Sequence, residues 1–244
     1  MSLSRNQLNK YLSEIDIQGK ACLDIGVQDK PTKRLTKGNP STYWTTDVDP
    51  QWNPDVVGDL NQDPETWEWR PNDKENPSGM RLHVRFDVAF CIEVLEHCWN
   101  PVKAVENICY FLKPGGTAYI STPFINPHHD YVDYLRYTNE WYRDVLPKVG
   151  FEDVQIYERV ATFGKVQLKV FYDIEGLRIS KIRPEHGKYT YPIGYFVTAK
   201  KKGGGKDGRD NDDKNTGKSG DDQQKEVPPA GTTTDRDSAE ASDI

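Results

Sequence analysis

Apolar positions recur along the first 200 residues in two rhythms. Leu3, Leu8, Leu12 and Ile15 stand close to helical spacing, which predicts an amphipathic helix over residues 3–17, ended before Gly19. Short, continuous apolar or β-branched runs follow. Ala21-Cys22-Leu23-Asp24-Ile25-Gly26 reads as a buried strand closing on a turn, residues 42–48 as a second strand ending at Asp47, and Val56-Val57 as a third, followed by Gly58-Asp59. Residues 86–92 (FDVAFCI) form the clearest buried strand. Pro101 opens a helix with Val102, Val105, Ile108 and Leu112 on one face, and Lys113-Pro114-Gly115-Gly116 stops it. A strand over 117–122, a helix over 139–149 stopped by Gly150, and late strands over 154–157 and 193–200 complete the pattern.

Strands separated by helical segments predict an α/β fold: a doubly wound, mostly parallel sheet with helices on both faces. In such sheets ligands bind outside the carboxyl ends of the strands. Asp24 to Gly26, Asp47, Asp59, Cys91-Ile92 and Ser121-Thr122-Pro123 each follow or end a predicted strand, so they are expected on one rim.

Composition divides the chain. Only 35% of the 244 residues are hydrophobic, below the usual share of about 45–50%. The deficit lies in residues 201–244, which hold no aromatic residue and carry eight Lys and Arg against eleven Asp and Glu. Such a segment cannot bury enough apolar surface to offset the entropy of ordering, so a polar disordered tail, either a tether or a solubilising extension, is expected after a single domain over residues 1–200. The formal charge of −6 argues against a nucleic-acid-wrapping surface. No apolar run approaches a membrane span, and the N-terminus lacks a secretory apolar stretch. Cys22, Cys91, Cys98 and Cys109 lack paired spacing and read as reduced thiols of a cytoplasmic protein, three of them in the core.

Candidate chemistry gathers on the rim. An acid at the end of the second strand suits a ribose diol; Gly26 allows close backbone approach; Asp59 can accept from an adenine amino group. Leu23-Asp24-Ile25-Gly26, YWTTDVDP (43–50), PDVVGDL (54–60), FDVAFCIEVLEH (86–97), LKPGG (112–116) and STPF (121–124) resemble, in this order, the motifs of class I S-adenosylmethionine-dependent methyltransferases, most closely the methyltransferase type 11 branch. The resemblance covers about residues 21–151. It implies a Rossmann-like methyltransferase fold with an antiparallel last strand and S-adenosylmethionine as cofactor. It also implies cofactor contacts from Asp24, Gly26, Val27, Asp47, Val48, Asp59, Leu60 and Cys91. One departure stands out: Gln28 and Lys30 occupy places where the family usually has glycine, and a Cβ there is expected to crowd the methionine portion of the cofactor. The missing glycines also argue against a dinucleotide enzyme.

On the acceptor side, His97 and His129 are the candidate catalytic bases near neutral pH. HDYVDYLRYT (129–138) resembles a segment that lies over the active site in relatives, which points to Tyr134 and Arg136 as substrate contacts. An ion pair of Asp133 with Arg136 and packing of Tyr134 and Tyr137 is the structural alternative. If residues 93–97 are helical, Glu93, Glu96 and His97 share one face. With His129 they resemble the metal sites of small-RNA 2′-O-methyltransferases and ubiquinone-pathway O-methyltransferases, which would take Mg²⁺ or Mn²⁺. Residues 61–85 read as a surface insertion, and 160–191 as a basic and aromatic insertion facing an acceptor, a partner or solvent. Trp44, Trp67, Trp69 and Trp99 either line a pocket or pack. The leading expectation is O-methylation of a small-molecule or glycan acceptor. The competing expectations are a metal-dependent RNA 2′-O-methyltransferase and a catalytically inactive methyltransferase-fold interaction protein.

Overall fold

The computed structural model describes residues 3–28, 31–69, 86–126, 132–164 and 188–203. The tail beyond residue 203 and most of the two expected insertions lie outside the described residues. Strands β1 (Ala21–Ile25), β2 (Thr42–Asp47), β3 (Val56–Val57), β4 (Glu68–Trp69), β5 (Phe86–Ile92), β6 (Leu112–Pro123), β7 (Phe151–Gly164) and β8 (Lys188–Lys201) form one sheet in the order β4-β3-β2-β1-β5-β6-β8-β7. Strands β3, β2, β1, β5 and β6 run parallel, so their carboxyl ends meet on one rim. The last strand, β8, lies antiparallel between β6 and β7, as expected. The small edge strand β4, antiparallel to β3, falls inside the expected surface insertion; it exists because Trp67 beside it is buried against Phe111.

The central strands β1 and β5 are buried on both faces, which explains their continuous apolar runs. Along β5, Val88 and Phe90 point into a core with Leu8 and Leu12 of helix α1 (Leu3–Leu12), while Ala89 and Cys91 point to the opposite core. That second core also receives Ile108 and Phe111 of helix α2 (Pro101–Phe111) and Tyr142 of helix α3 (Asn139–Val145). Asn100 caps α2 by accepting from the Lys103 N–H at 3.2 Å, with Pro101 in the favoured first turn. All four cysteines are buried and none forms a disulfide.

Several element boundaries differ from the sequence pattern, and β7 and β8 run well past the late strands expected at 154–157 and 193–200. Helix α1 stops at Leu12 because Ile15 and Ile17 alternate into the core as extended chain, tied to Lys37 by backbone bonds of 2.8 and 2.9 Å. Helix α3 stops at Val145 because Pro147 lacks the N–H that would continue the ladder, although Leu146 before it keeps helical dihedrals and donates to the Tyr142 carbonyl at 3.2 Å. The expected stop at residues 113–116 is an irregular part of β6: Leu112 already pairs with Phe86, and pairing resumes at Thr117 with Val88. Between β1 and β2 the described residues form only a 3-10 turn, Thr32–Arg34, rather than the expected helical segment. Among the described residues no helix is long and apolar enough to cross a membrane.

Buried Asn107 binds the loop after β3 to α2, its Nδ2 donating to the carbonyls of Leu60 at 2.9 Å and Gln62 at 2.6 Å. Asn107→Ala strands those acceptors and is expected to lower stability by about 1–3 kcal/mol in urea denaturation; an unchanged midpoint would show that water replaces the amide at no cost.

Candidate active site

The rim is assembled by carboxylates that hold backbone. Asp24, in β1 and 1% exposed, accepts from the Thr32 N–H at 2.7 Å, the Thr32 hydroxyl at 2.9 Å and the Tyr43 hydroxyl at 2.5 Å. It therefore fastens the far end of the first loop from beneath and does not line it. Burial pushes its carboxyl up to about 6, against the opposing pull of those hydrogen bonds. Gly26 turns the chain at φ +68°, its N–H donating to the Thr46 carbonyl at 2.7 Å; a Cβ there would fall 2.5 Å from Val94 Cγ2. Val27 is buried beside it.

Asp47, at the end of β2, accepts from the Gln28 N–H at 3.2 Å through Oδ2 and from the Asp49 N–H at 3.0 Å through Oδ1. Gln28 adopts φ +47°, the left-handed form that glycine takes freely, and its side chain is exposed. Gln28 thus keeps a glycine-like backbone at the cost of strain. Lys30 lies outside the described residues. Val48 is 64% exposed beside Asp47, an uncovered apolar surface on the rim.

After β3, Asp59 accepts from the Asn61 N–H and side-chain amide through Oδ1, both at 2.8 Å, while Asn61 Oδ1 accepts from the Asn100 N–H at 2.9 Å. This chain of bonds ties the β3 loop to the β5 loop. Leu60 and Cys91 carry core side chains, so their part in a rim site is limited to main chain; burial holds the Cys91 thiol well above its usual range.

The stretch after β5 is not helical. Glu93 stands at φ +57°, and only Leu95–His97 form a 3-10 turn. The shared helical face expected for Glu93, Glu96 and His97 is therefore absent. Among the described residues no three His, Cys, Asp or Glu side chains converge as a metal site, and His129 lies outside them. Instead Glu93 Oε1 accepts from Ser121 Oγ at 2.8 Å and Arg159 Nη2 at 2.7 Å. The Glu96 side chain is fully buried; burial and the Glu93 charge push its carboxyl up to about 8.

Residues 132–137 do lie against this turn. The Tyr134 and Leu135 N–H groups donate to the Glu96 carbonyl at 2.8 and 3.2 Å, Tyr137 donates to the Leu95 carbonyl at 2.7 Å, and His97 Nδ1 meets the Val132 carbonyl. A carbonyl only accepts, so Nδ1 donates to it, and Nε2 lies 3.8 Å from Glu96 Oε1. Tyr134 is 55% exposed, open to a ligand. Arg136 is engaged internally, forked onto Asp133 and bonded to the Leu135 carbonyl at 2.9 Å, and Tyr137 is buried; for these two the structural alternative describes the geometry.

Sequence reasoning missed Arg159, which is 1% exposed and reaches the rim from β7. It falls between the late strand expected at 154–157 and the insertion expected from residue 160, and only the small residue Gly194 opposite hints at room for it.

The profile of the methyltransferase-domain family matches residues 5–157 of this chain. The chain belongs to the class I S-adenosylmethionine-dependent methyltransferases. The ubiquinone biosynthesis O-methyltransferase of Coxiella burnetii (strain RSA 331 / Henzerling II) is 31% identical over 102 residues, 42% of this chain and 40% of that protein. The protein of the same name from Paraburkholderia phymatum is 31% identical over 110 residues, 44% of this chain and 46% of that protein. The chain thus spans less than half the length of these curated relatives. The crystal structure of a SAM-dependent methyltransferase from Archaeoglobus fulgidus shares the fold, with a TM-score of 0.51 at 15% identity over 82% of this chain and 93% of that one.

The raised Glu96 carboxyl makes a pH prediction. Between about 4.5 and about 8 the unfolded chain releases a proton that the folded chain keeps, so this group's contribution to stability falls as pH rises through that window. Glu96→Gln removes that slope. Urea midpoints at the two ends of the window are expected to converge in the variant relative to wild type; parallel profiles would place the Glu96 carboxyl in its ordinary range.

Proposed function

We propose that the chain is an S-adenosylmethionine-dependent O-methyltransferase whose acceptor is a small molecule or glycan hydroxyl. The observation that carries the acceptor side is the fixing of the His97 ring beside the rim, with Nδ1 on the Val132 carbonyl and Nε2 3.8 Å from Glu96 Oε1. The choice of oxygen draws on the relatives named O-methyltransferases, which this chain matches only in part.

The residues present fit the cofactor. Gly26 turns at positive φ with Val94 packed against it and presents main chain without a side chain, Asp47 offers a carboxylate to a ribose diol, Asp59 has its Oδ2 for an adenine amino group, and exposed Val48 offers an apolar face to the base. The cofactor supplies a methyl group on a sulfonium, an electrophile that needs no activation by the protein. The chain's part is to orient the acceptor and take its proton. His97 Nε2 receives the proton of the acceptor hydroxyl as the oxygen is methylated, while Nδ1–H stays on the Val132 carbonyl and keeps the ring from turning. Burial keeps neighbouring Glu96 protonated near neutral pH, so it adds no second carboxylate charge beside the Glu93–Arg159 ion pair. Tyr134 stands exposed where an acceptor ring would pack.

Calorimetric titration with S-adenosylmethionine tests the reading. Wild type is expected to bind, and Asp47→Ala to bind at least about tenfold more weakly. His97→Gln is expected to keep cofactor affinity and lose about 10²–10⁴ in transfer of labelled methyl to phenol, catechol or hexose acceptors. A folded wild-type chain that does not bind the cofactor would sink the proposal and leave the interaction-protein reading.

A further inference from the structure

Val94 packs directly on the Gly26 turn, its Cγ2 occupying the space into which a Cβ at Gly26 would project. Its place follows from Glu93, the residue before it, whose φ of +57° is a conformation that non-glycine residues adopt only when held there. Three contacts hold it. The Glu93 N–H donates to the Ser121 carbonyl at 2.9 Å, Ser121 Oγ donates to Oε1 at 2.8 Å, and Arg159 Nη2 donates to Oε1 at 2.7 Å.

Arg159 is built into the fold for this contact. Its Nη2 also donates to the Thr122 carbonyl at 2.6 Å, and its Nη1 to Ser4 Oγ on α1 at 3.0 Å. It crosses β8 over Gly194, where a Cβ would lie 2.2 Å from Nη2. The pairing of β7 with β8 shifts register between Arg159 and Val160, and Gln7 of α1 clamps the shifted residue, accepting from the Val160 N–H and donating to its carbonyl, both at 2.8 Å. Yet Nε is buried without a hydrogen-bond partner among the described residues. A buried guanidinium with an unmet N–H costs stability, so its presence calls for a reason other than stability.

We propose that Arg159 is a positioning residue for the aminocarboxypropyl arm of the cofactor: it holds Glu93 in the left-handed conformation and so keeps Val94 against Gly26. The inference rests on the cofactor reading above and deepens it. Asp47 and Asp59 serve the adenosine end, which this device does not touch. Loss of Arg159 therefore weakens ligands that carry the arm and spares those that lack it.

The test compares S-adenosylhomocysteine, which has the arm, with 5′-methylthioadenosine, which lacks it, by calorimetry on the full chain. Arg159→Met is expected to weaken S-adenosylhomocysteine about tenfold, the equilibrium equivalent of the left-handed strain no longer held, and to leave 5′-methylthioadenosine unchanged. Arg159→Lys keeps the charge, cannot span three acceptors, and is expected to fall between. Adding Glu93→Gly to Arg159→Met restores the affinity, because glycine needs nothing to hold it at positive φ. Equal loss of both ligands, no loss of either, or failure of the glycine rescue overturns the proposal. Should Arg159→Met not fold, Arg159→Lys with and without Glu93→Gly decides by the same ratio. A wild-type chain that binds 5′-methylthioadenosine but not S-adenosylhomocysteine overturns this proposal alone; one that binds neither overturns the cofactor reading and this with it.

Discussion

The carboxylate of Asp47 accepts the N–H of Gln28 from the loop after β1 and the N–H of Asp49 from the loop after its own strand. Its main-chain carbonyl accepts the Gly58 N–H from the loop after β3 at 3.0 Å. One residue thus binds three loops at the carboxyl ends of three parallel strands. Bonds to an ionised acceptor are stronger than those between neutral groups. This grip keeps Gln28 at positive φ, where the family pattern has a glycine. At Gln28 the backbone is held by an acid on the neighbouring strand rather than by the freedom of glycine.

The same solution recurs along the rim. Asp24 fastens Thr32, Asp59 fastens Asn61, and Glu93 is fastened by Ser121 and Arg159. Each of these acids exchanges hydration for contacts that set a loop, and burial pushes Asp24, like Glu96 after β5, toward the neutral form. Of the four non-glycine residues at positive φ among the described residues, Gln28 and Glu93 lie where the ligand is expected and Asn53 and Asp153 do not, while the sheet beneath keeps regular parallel pairing from Ala21 to Ile25 with β2 and from Cys22 to Ile25 with β5.

Much of this was legible in the sequence because burial on both faces leaves a plain trace. FDVAFCI reads as a central strand from its apolar run, and the acids that follow the strands read as a rim once the strands are parallel. Asp47 and Asp59 stand where they were expected. Interactions between distant segments were not legible. Glu93-x-x-Glu96-His97 has helical spacing, but Glu93 is turned out of any helix by Ser121 and Arg159, 28 and 66 residues away. The Asp133–Arg136 ion pair, only three residues apart, was by contrast one of the two readings open for Arg136. Arg159 carried no local signal, since the space it needs is made by Gly194 on another strand.

A crystal structure of the chain with S-adenosylhomocysteine tests the role of Asp47 most directly. The account predicts the ribose hydroxyls on the Asp47 carboxylate, with the Gln28 and Asp49 N–H groups still donating to it and Gln28 still at positive φ. A nucleoside bound away from Asp47, or a first loop that abandons Asp47 to admit it, would contradict the account.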